Sequence, residues 1–105
     1  MLLHCLFIRF KASVTADEKQ ELYHRVSEVA RLVEGVLDVK YGQNSSFQGL
    51  HGGFHDGFIV TLESDEALEA FVTHPLHEEI DAVLIDYSDG GLSGIMVFDL
   101  QYQDE

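Results

Sequence analysis

Three segments of this 105-residue chain are apolar at both alternations of an extended backbone, and that doubling limits the architecture more than any other feature. In residues 3–10, Leu6 and Ile8 alternate with Cys5 and Phe7. In 54–62, Phe58 and Val60 alternate with Ile59, and in 95–100, Ile95 and Val97 alternate with Met96 and Phe98. Successive strand residues face opposite sides, so a strand apolar on both must be covered on both. Helices can cover one face of a sheet built from these strands. An open apolar face on the order of several hundred Å2 is rarely left in water, so a second copy of the chain is expected on the other, giving a homodimer with its sheets face to face.

The intervening segments read as helices, one strand and loops. Thr15-Ala16-Asp17-Glu18 has the Thr-x-x-Glu spacing of a capping box, in which hydroxyl and carboxylate satisfy each other's backbone N–H. A helix follows with Leu22, Val26, Val29, Ala30 and Val33 at helical spacing and Lys19, Glu21, Arg25, Glu28 and Arg31 outside, ended by Gly35. Val36 to Tyr41 is a short strand, and residues 42–53 form a long loop. Its glycines lack the GxxxxGK[ST] spacing and lead into a strand, so they are not a phosphate cradle, and His51 and His55 read as solvated or contact-making. Ser64-Asp65-Glu66 caps a second helix with Ala67, Leu68, Phe71 and Val72 inward. A short helix through Ile80, Val83 and Leu84, a turn at 88–91, the last strand and an acidic tail complete the chain. The order β-α-β-β-α-β is the ferredoxin-like motif, an α+β fold with an antiparallel sheet. A chain of this length is expected to form one domain, residues 1–105.

Charge narrows the partners. Six Lys plus Arg against 19 Asp plus Glu give a net charge of −13, a surface that repels nucleic acid and anionic lipid, so neither is expected to bind. No stretch approaches the roughly 18 apolar residues of a membrane span. The apolar N-terminus lacks the basic region and small-residue cleavage site of a signal peptide. Cys5 is the lone cysteine, which rules out an intrachain disulfide and suits a reducing, cytoplasmic setting.

Chemistry concentrates in Thr73-His74-Pro75-Leu76-His77. Pro75 cannot continue a helix but suits the first position of a new one, and it biases His74 toward an extended backbone. That leaves His77 in the first turn, where the positive end of the helix dipole disfavours an imidazolium and keeps the ring neutral and able to take a proton.

Taken together, His4 in its alternating strand with Phe10-Lys11, Gly42-Gln43-Asn44-Ser45, Thr61-Leu62-Glu63-Ser64-x-Glu66-Ala67-Leu68, His74-Pro75-Leu76-His77 and Phe98-Asp99 resemble the stress-responsive A/B barrel domain, the Dabb family of dimeric α+β barrels. The resemblance covers nearly the whole chain, and the His-Pro-x-His element is its most specific part. It implies a dimeric barrel and, by likeness to a plant cyclase of the family, a cofactor-free intramolecular aldol cyclisation of a poly-β-keto acid. There the second histidine of the motif is the general base and a tyrosine on the preceding helix assists. Carried onto this chain the base is His77, and the tyrosine position falls on Phe71, whose ring can neither donate a hydrogen bond nor protonate an oxygen.

The same alignment puts His4, Asp56 and Asp99 on the helix-facing side of the sheet, where His77 is expected to arrive. A carboxylate beside His77 would hold its tautomer and raise its basicity, and Tyr23 of the first helix is a candidate for the missing hydroxyl. The expected catalytic set is therefore His77, His4 and Asp99, with Tyr23, Asp56, Phe71 and His74 as contacts to a small-molecule ligand. His4 and Asp99 also read as a satisfied buried couple, and Tyr23 as a core-edge residue. No cofactor is expected, and no metal, because His74 and His77 lack a third ligand at a motif spacing. Two function classes follow: a small cyclase or isomerase acting on a carbonyl compound, or a non-catalytic stress-response protein forming a stable oligomer. A monooxygenase or haem-degrading activity on the same topology is disfavoured by the absence of Trp and of a haem-ligand pattern.

Overall fold

Pairing of the expected strands gives an antiparallel sheet in which both alternations of the first strand are buried or half-buried. The computed structural model describes residues 1–104. Along the chain run β1 (Leu2–Ile8), α1 (Ala16–Leu32), β2 (Val36–Gln43), β3 (Asp56–Leu62), α2 (Asp65–Val72), α3 (Pro75–Tyr87), a 3-10 turn (Gly91–Gly94) and β4 (Ile95–Gln101). The strands pair in the order β2-β3-β1-β4, all antiparallel, so the fold is ferredoxin-like with its second helical region divided in two.

Local chemistry accounts for most boundaries. Thr15 Oγ1 accepts from Glu18 N at 3.1 Å while Glu18 Oε1 accepts from Thr15 N at 2.9 Å, the reciprocal cap that starts α1. Ser64 Oγ accepts from Ala67 N at 3.2 Å and starts α2. Pro75 opens α3. Several expected ends move, among them the four that follow. β1 stops at Ile8 because Arg9 N donates to Gly94 O, and Phe10 keeps only an isolated bridge to Ser88. β3 begins at Asp56, since Phe54 N is turned to His51 O. β2 continues to Gln43, opposite Asp56. α1 ends at Leu32 with Val33 as its cap, and Gly35, at φ 90°, makes the turn beyond it.

The core lies between sheet and helices. Leu2, Leu6, Ile8, Phe58, Val60 and Leu62 meet Leu22, Val26, Val29, Phe71, Ile80 and Leu84. On the other side of the sheet Leu3, Phe7 and Ile59 are only half-buried, and Met96, Phe98 and Leu100 are exposed. No helix among the described residues is long and apolar enough to cross a membrane.

Gly57 permits the close pairing of β3 with β1. A Cβ there would lie 2.7 Å from the Leu6 carbonyl oxygen and 2.7 Å from Cδ1 of Phe7, so backbone and ring would both have to move. Gly57→Ala is expected to destabilise the fold by about 1–3 kcal/mol, as overpacking does. A shift in the urea midpoint at unchanged m-value is the check, and an unaltered midpoint would show that the strands part easily.

Candidate functional site

His77 is the third residue of α3 and shares its inward face with Ile80 and Leu84, at helical spacing. Its ring packs edge-on against Phe71 with centroids 4.9 Å apart. Phe71 is fully buried near the end of α2, and its ring also meets His4 edge-on at 6.1 Å. A phenyl group thus separates two buried imidazoles. His4 lies in β1 between Val60 and Asp99 in register, with Nδ1 2.5 Å from Asp99 Oδ1. The couple is asymmetric: the His4 side chain is 5% exposed and that of Asp99 39%.

The carboxylate nearest His77 is Asp81, one helical turn on, with Oδ2 3.3 Å from Nδ1 but outside hydrogen-bonding geometry. The His77 imidazole is held below its ordinary 6.5, first by burial and further by His4 and His74, against an opposing pull from Asp81. The ring is therefore neutral at pH 7. Desolvation, rather than the helix N-terminus, is the main cause.

A lowered folded-state value carries a sign for stability. The unfolded chain takes up a proton at His77 more readily than the folded one. The contribution of this neutral ring is fully present above pH 6.5 and is lost as the pH falls below it. Between pH 7.5 and 5.5 the wild type is expected to lose more stability than His77→Gln, read as the difference in guanidinium midpoints. Equal losses would mean that the imidazole is solvated in the fold.

The remaining expected residues lie apart from this cluster. Tyr23 stacks on Tyr41 at 4.8 Å and meets Phe58 edge-on at 6.3 Å. Burial, with the Asp56 carboxylate, pushes its phenol well above the ordinary value of 10, so it stays protonated. Asp56 lies 3.4 Å from Lys19 Nζ. His74 is the N-cap of α3, its Nδ1 accepting from Leu76 N at 3.1 Å. His4, Asp99, Phe71 and His77 are thus brought together, while Tyr23 with Asp56 forms a second group and His74 caps a helix. Asp81 escapes the sequence reading, although its i,i+4 spacing from His77 is a usable signal.

Three buried side-chain polar atoms among the described residues have no hydrogen-bond partner within the protein: His4 Nε2, His77 Nδ1 and Tyr23 Oη. With its Nδ1–H given to Asp99, His4 keeps Nε2 as an acceptor when neutral and as a donor when charged. His77 offers a neutral imidazole as a proton acceptor. No group of three or more His, Cys, Asp or Glu among the described residues is placed to hold a metal ion. A depression of about 550 Å3 lies elsewhere, between the open side of the sheet and the 44–55 loop, lined by Phe7, Lys40, His51, Phe54, Ile59 and Met96 among others.

Comparison with known proteins agrees with this architecture. A family model described as the stress responsive A/B barrel domain matches residues 2–102. The stress-response A/B barrel domain-containing protein HS1 of Arabidopsis thaliana is 29% identical over 96 residues, 91% of this chain and 84% of that protein. Olivetolic acid cyclase of Cannabis sativa is 24% identical over 74 residues, 70% of this chain and 73% of the enzyme. Among solved structures, a dimeric ferredoxin-like protein of unknown function from Jannaschia sp. CCS1 superposes with a TM-score of 0.89 at 25% identity, covering 96% of this chain and 98% of that one.

Proposed function

Because the chain belongs to the stress responsive A/B barrel domain family, we propose that it is a homodimeric α+β barrel protein in which His77 acts as general base on a small carbonyl compound, without a cofactor. The neutral imidazole removes a proton alpha to the carbonyl, leaving an enolate. A proton on His4 Nε2, with Asp99 bound at the other ring nitrogen, stabilises the enolate oxygen in place of the hydroxyl that Phe71 lacks. In a cyclisation the enolate carbon forms a bond to a second carbonyl carbon of the same molecule, and the resulting alkoxide takes the proton back. In an isomerisation the proton returns at another position.

One observation carries this reading: two buried imidazoles flank Phe71 with ring nitrogens that lack a hydrogen bond, His4 Nε2 with no partner and His77 Nδ1 with only the misaligned Asp81 carboxylate at 3.3 Å. Each such atom costs about 1–3 kcal/mol when left unpaired, and a polar ligand would supply the partner. The dimer is supported by the exposed apolar Met96, Phe98 and Leu100 and by the dimeric state of the Jannaschia protein. The test is hydrogen–deuterium exchange at the carbon between the carbonyls of simple β-diketones and β-keto esters, followed by mass spectrometry. Exchange faster than in buffer and dependent on His77 supports the reading. No acceleration across such a panel ends it.

A non-catalytic stress-response role has its own support. Phe71 occupies the family's tyrosine position, and the 550 Å3 depression is lined by neither His77 nor His4. On that reading the exchange assay gives only the buffer rate.

A further inference from the structure

Phe71 lies between two buried imidazoles, and each of them has a carboxylate at the same ring atom. His4 Nδ1 meets Asp99 Oδ1, and His77 Nδ1 lies 3.3 Å from Asp81 Oδ2. In both couples the ring is inside and the acid at the margin, with side chains 5% and 39% exposed in the first and 6% and 47% in the second. The first couple joins two strands and is set by their register. The second lies within α3, where the i,i+4 spacing puts the acid one turn beyond the histidine. Asp99 has a part in the chemistry proposed above, and Asp81 has none.

The neutral ring comes first. A neutral imidazole carries one N–H and one lone pair. A lone pair on Nδ1 would face the Asp81 carboxylate in a buried place, two acceptors with no hydrogen between them, whereas a proton on Nδ1 faces an acceptor. The Nδ1–H tautomer is therefore favoured, and the basic lone pair falls to Nε2. The second consideration is the ring after it has taken a proton. In the proposed step the α C–H bond breaks, its electron pair stays behind in the enolate and the proton goes to His77, which becomes a cation where water is scarce. Burial opposes that charge most, and His4 on β1, beyond the Phe71 ring, and His74 at the start of α3 oppose it as well. Among the described residues, Asp81 is the one carboxylate that acts on the ring in the other direction. With nearly half of its side chain in water, it has room to turn and align with Nδ1–H.

We propose that Asp81 is the positioning residue of His77: it holds the ring in the Nδ1–H tautomer, so that Nε2 is the atom that takes the α proton, and it pairs with the imidazolium that results. The inference rests on the general-base reading above and narrows it. The reacting molecule meets Nε2 of each ring, bearing a proton on His4 and a lone pair on His77, while a carboxylate holds each Nδ1.

Nitrogen-15 NMR of the histidine rings tests it without any substrate. Two-bond proton–nitrogen correlations at pH 7.5, with the His77 signals identified by their loss in His77→Gln, are expected to show an Nδ1–H ring in the wild type. Asp81→Ala is expected to turn His77 over to the Nε2–H form, the one a histidine prefers unaided in water. Asp81 is half exposed, so the variant should keep the wild-type circular dichroism. Its α-proton exchange is expected to be several-fold slower, a smaller loss than that of His77→Ala. The acid limb of its pH profile should lie at lower pH, since every influence left on the ring disfavours the cation. Asp81→Glu is expected to restore part of both. An Nε2–H ring in the wild type, or an Nδ1–H ring in both proteins, overturns the inference. A wild-type rate and acid limb in Asp81→Ala overturn it as well. If the wild type accelerates no exchange at all, the general-base reading fails on its own, and the tautomers still decide whether Asp81 positions the ring.

Discussion

His77→Ala is expected to lower α-proton exchange about 100- to 10,000-fold, the range over which a positioned general base contributes. The substitution removes the neutral proton acceptor but leaves the elements around it in place. Pro75 still opens α3, His74 still caps it, and Ile80 and Leu84 still hold its inward face. Circular dichroism and particle size should therefore match the wild type. The pH profile of the wild type is a second check. Activity is expected to be retained well below neutrality and to fall only as the pH drops through the folded-state value of His77, which burial holds beneath 6.5. Exchange at the wild-type rate in His77→Ala would transfer the chemistry to another group or to none.

Phe71→Ala carries the largest expected effect on the fold. The ring is fully buried, and it fills the space between the imidazoles of His4 and His77. Truncating a buried phenylalanine costs about 3–5 kcal/mol, the lost transfer of the ring plus the cavity left behind. Against the total of about 5–15 kcal/mol typical of a domain, that removes from about a fifth to all of the stability. Phe71→Leu retains most of the volume and is expected to fall well short of that loss. Denaturant midpoints of the three proteins give the comparison. A loss below about 1 kcal/mol for Phe71→Ala would mean that the neighbouring helices collapse into the space, and the two imidazoles would then meet.

Much of the architecture is legible before any coordinates. The Thr15–Glu18 spacing starts α1, Ser64 starts α2 and Pro75 starts α3, because each cap is a contact between residues at most three apart. The strand ends are less legible. Phe10 and Phe54 fit the alternation of their strands, but Arg9 N and Phe54 N find partners in turns, and nothing in the alternation announces that. The candidate site divides in the same manner. His77 inward, with Ile80 and Leu84, follows from helical spacing. The association of Tyr23 with Asp56 and Tyr41, away from the imidazoles, does not, since it depends on where α1 crosses the sheet. Asp81 went unread, although its i,i+4 spacing from His77 was a usable signal.

What the amino-acid sequence determined by itself was the order of elements, the helix break at Pro75, the inward face of His77 and the two-sided apolarity of β1, β3 and β4. Those properties come from backbone sterics, capping and periodicity, all acting over a few residues. Only the tertiary structure fixed the register that sets the anticipated couple of His4 and Asp99 side by side, brought the Phe71 ring against both imidazoles, put Asp81 beside His77, and made His77 dry enough to stay neutral. Register and desolvation depend on segments distant in sequence packing against one another, and no short-range pattern contains that information.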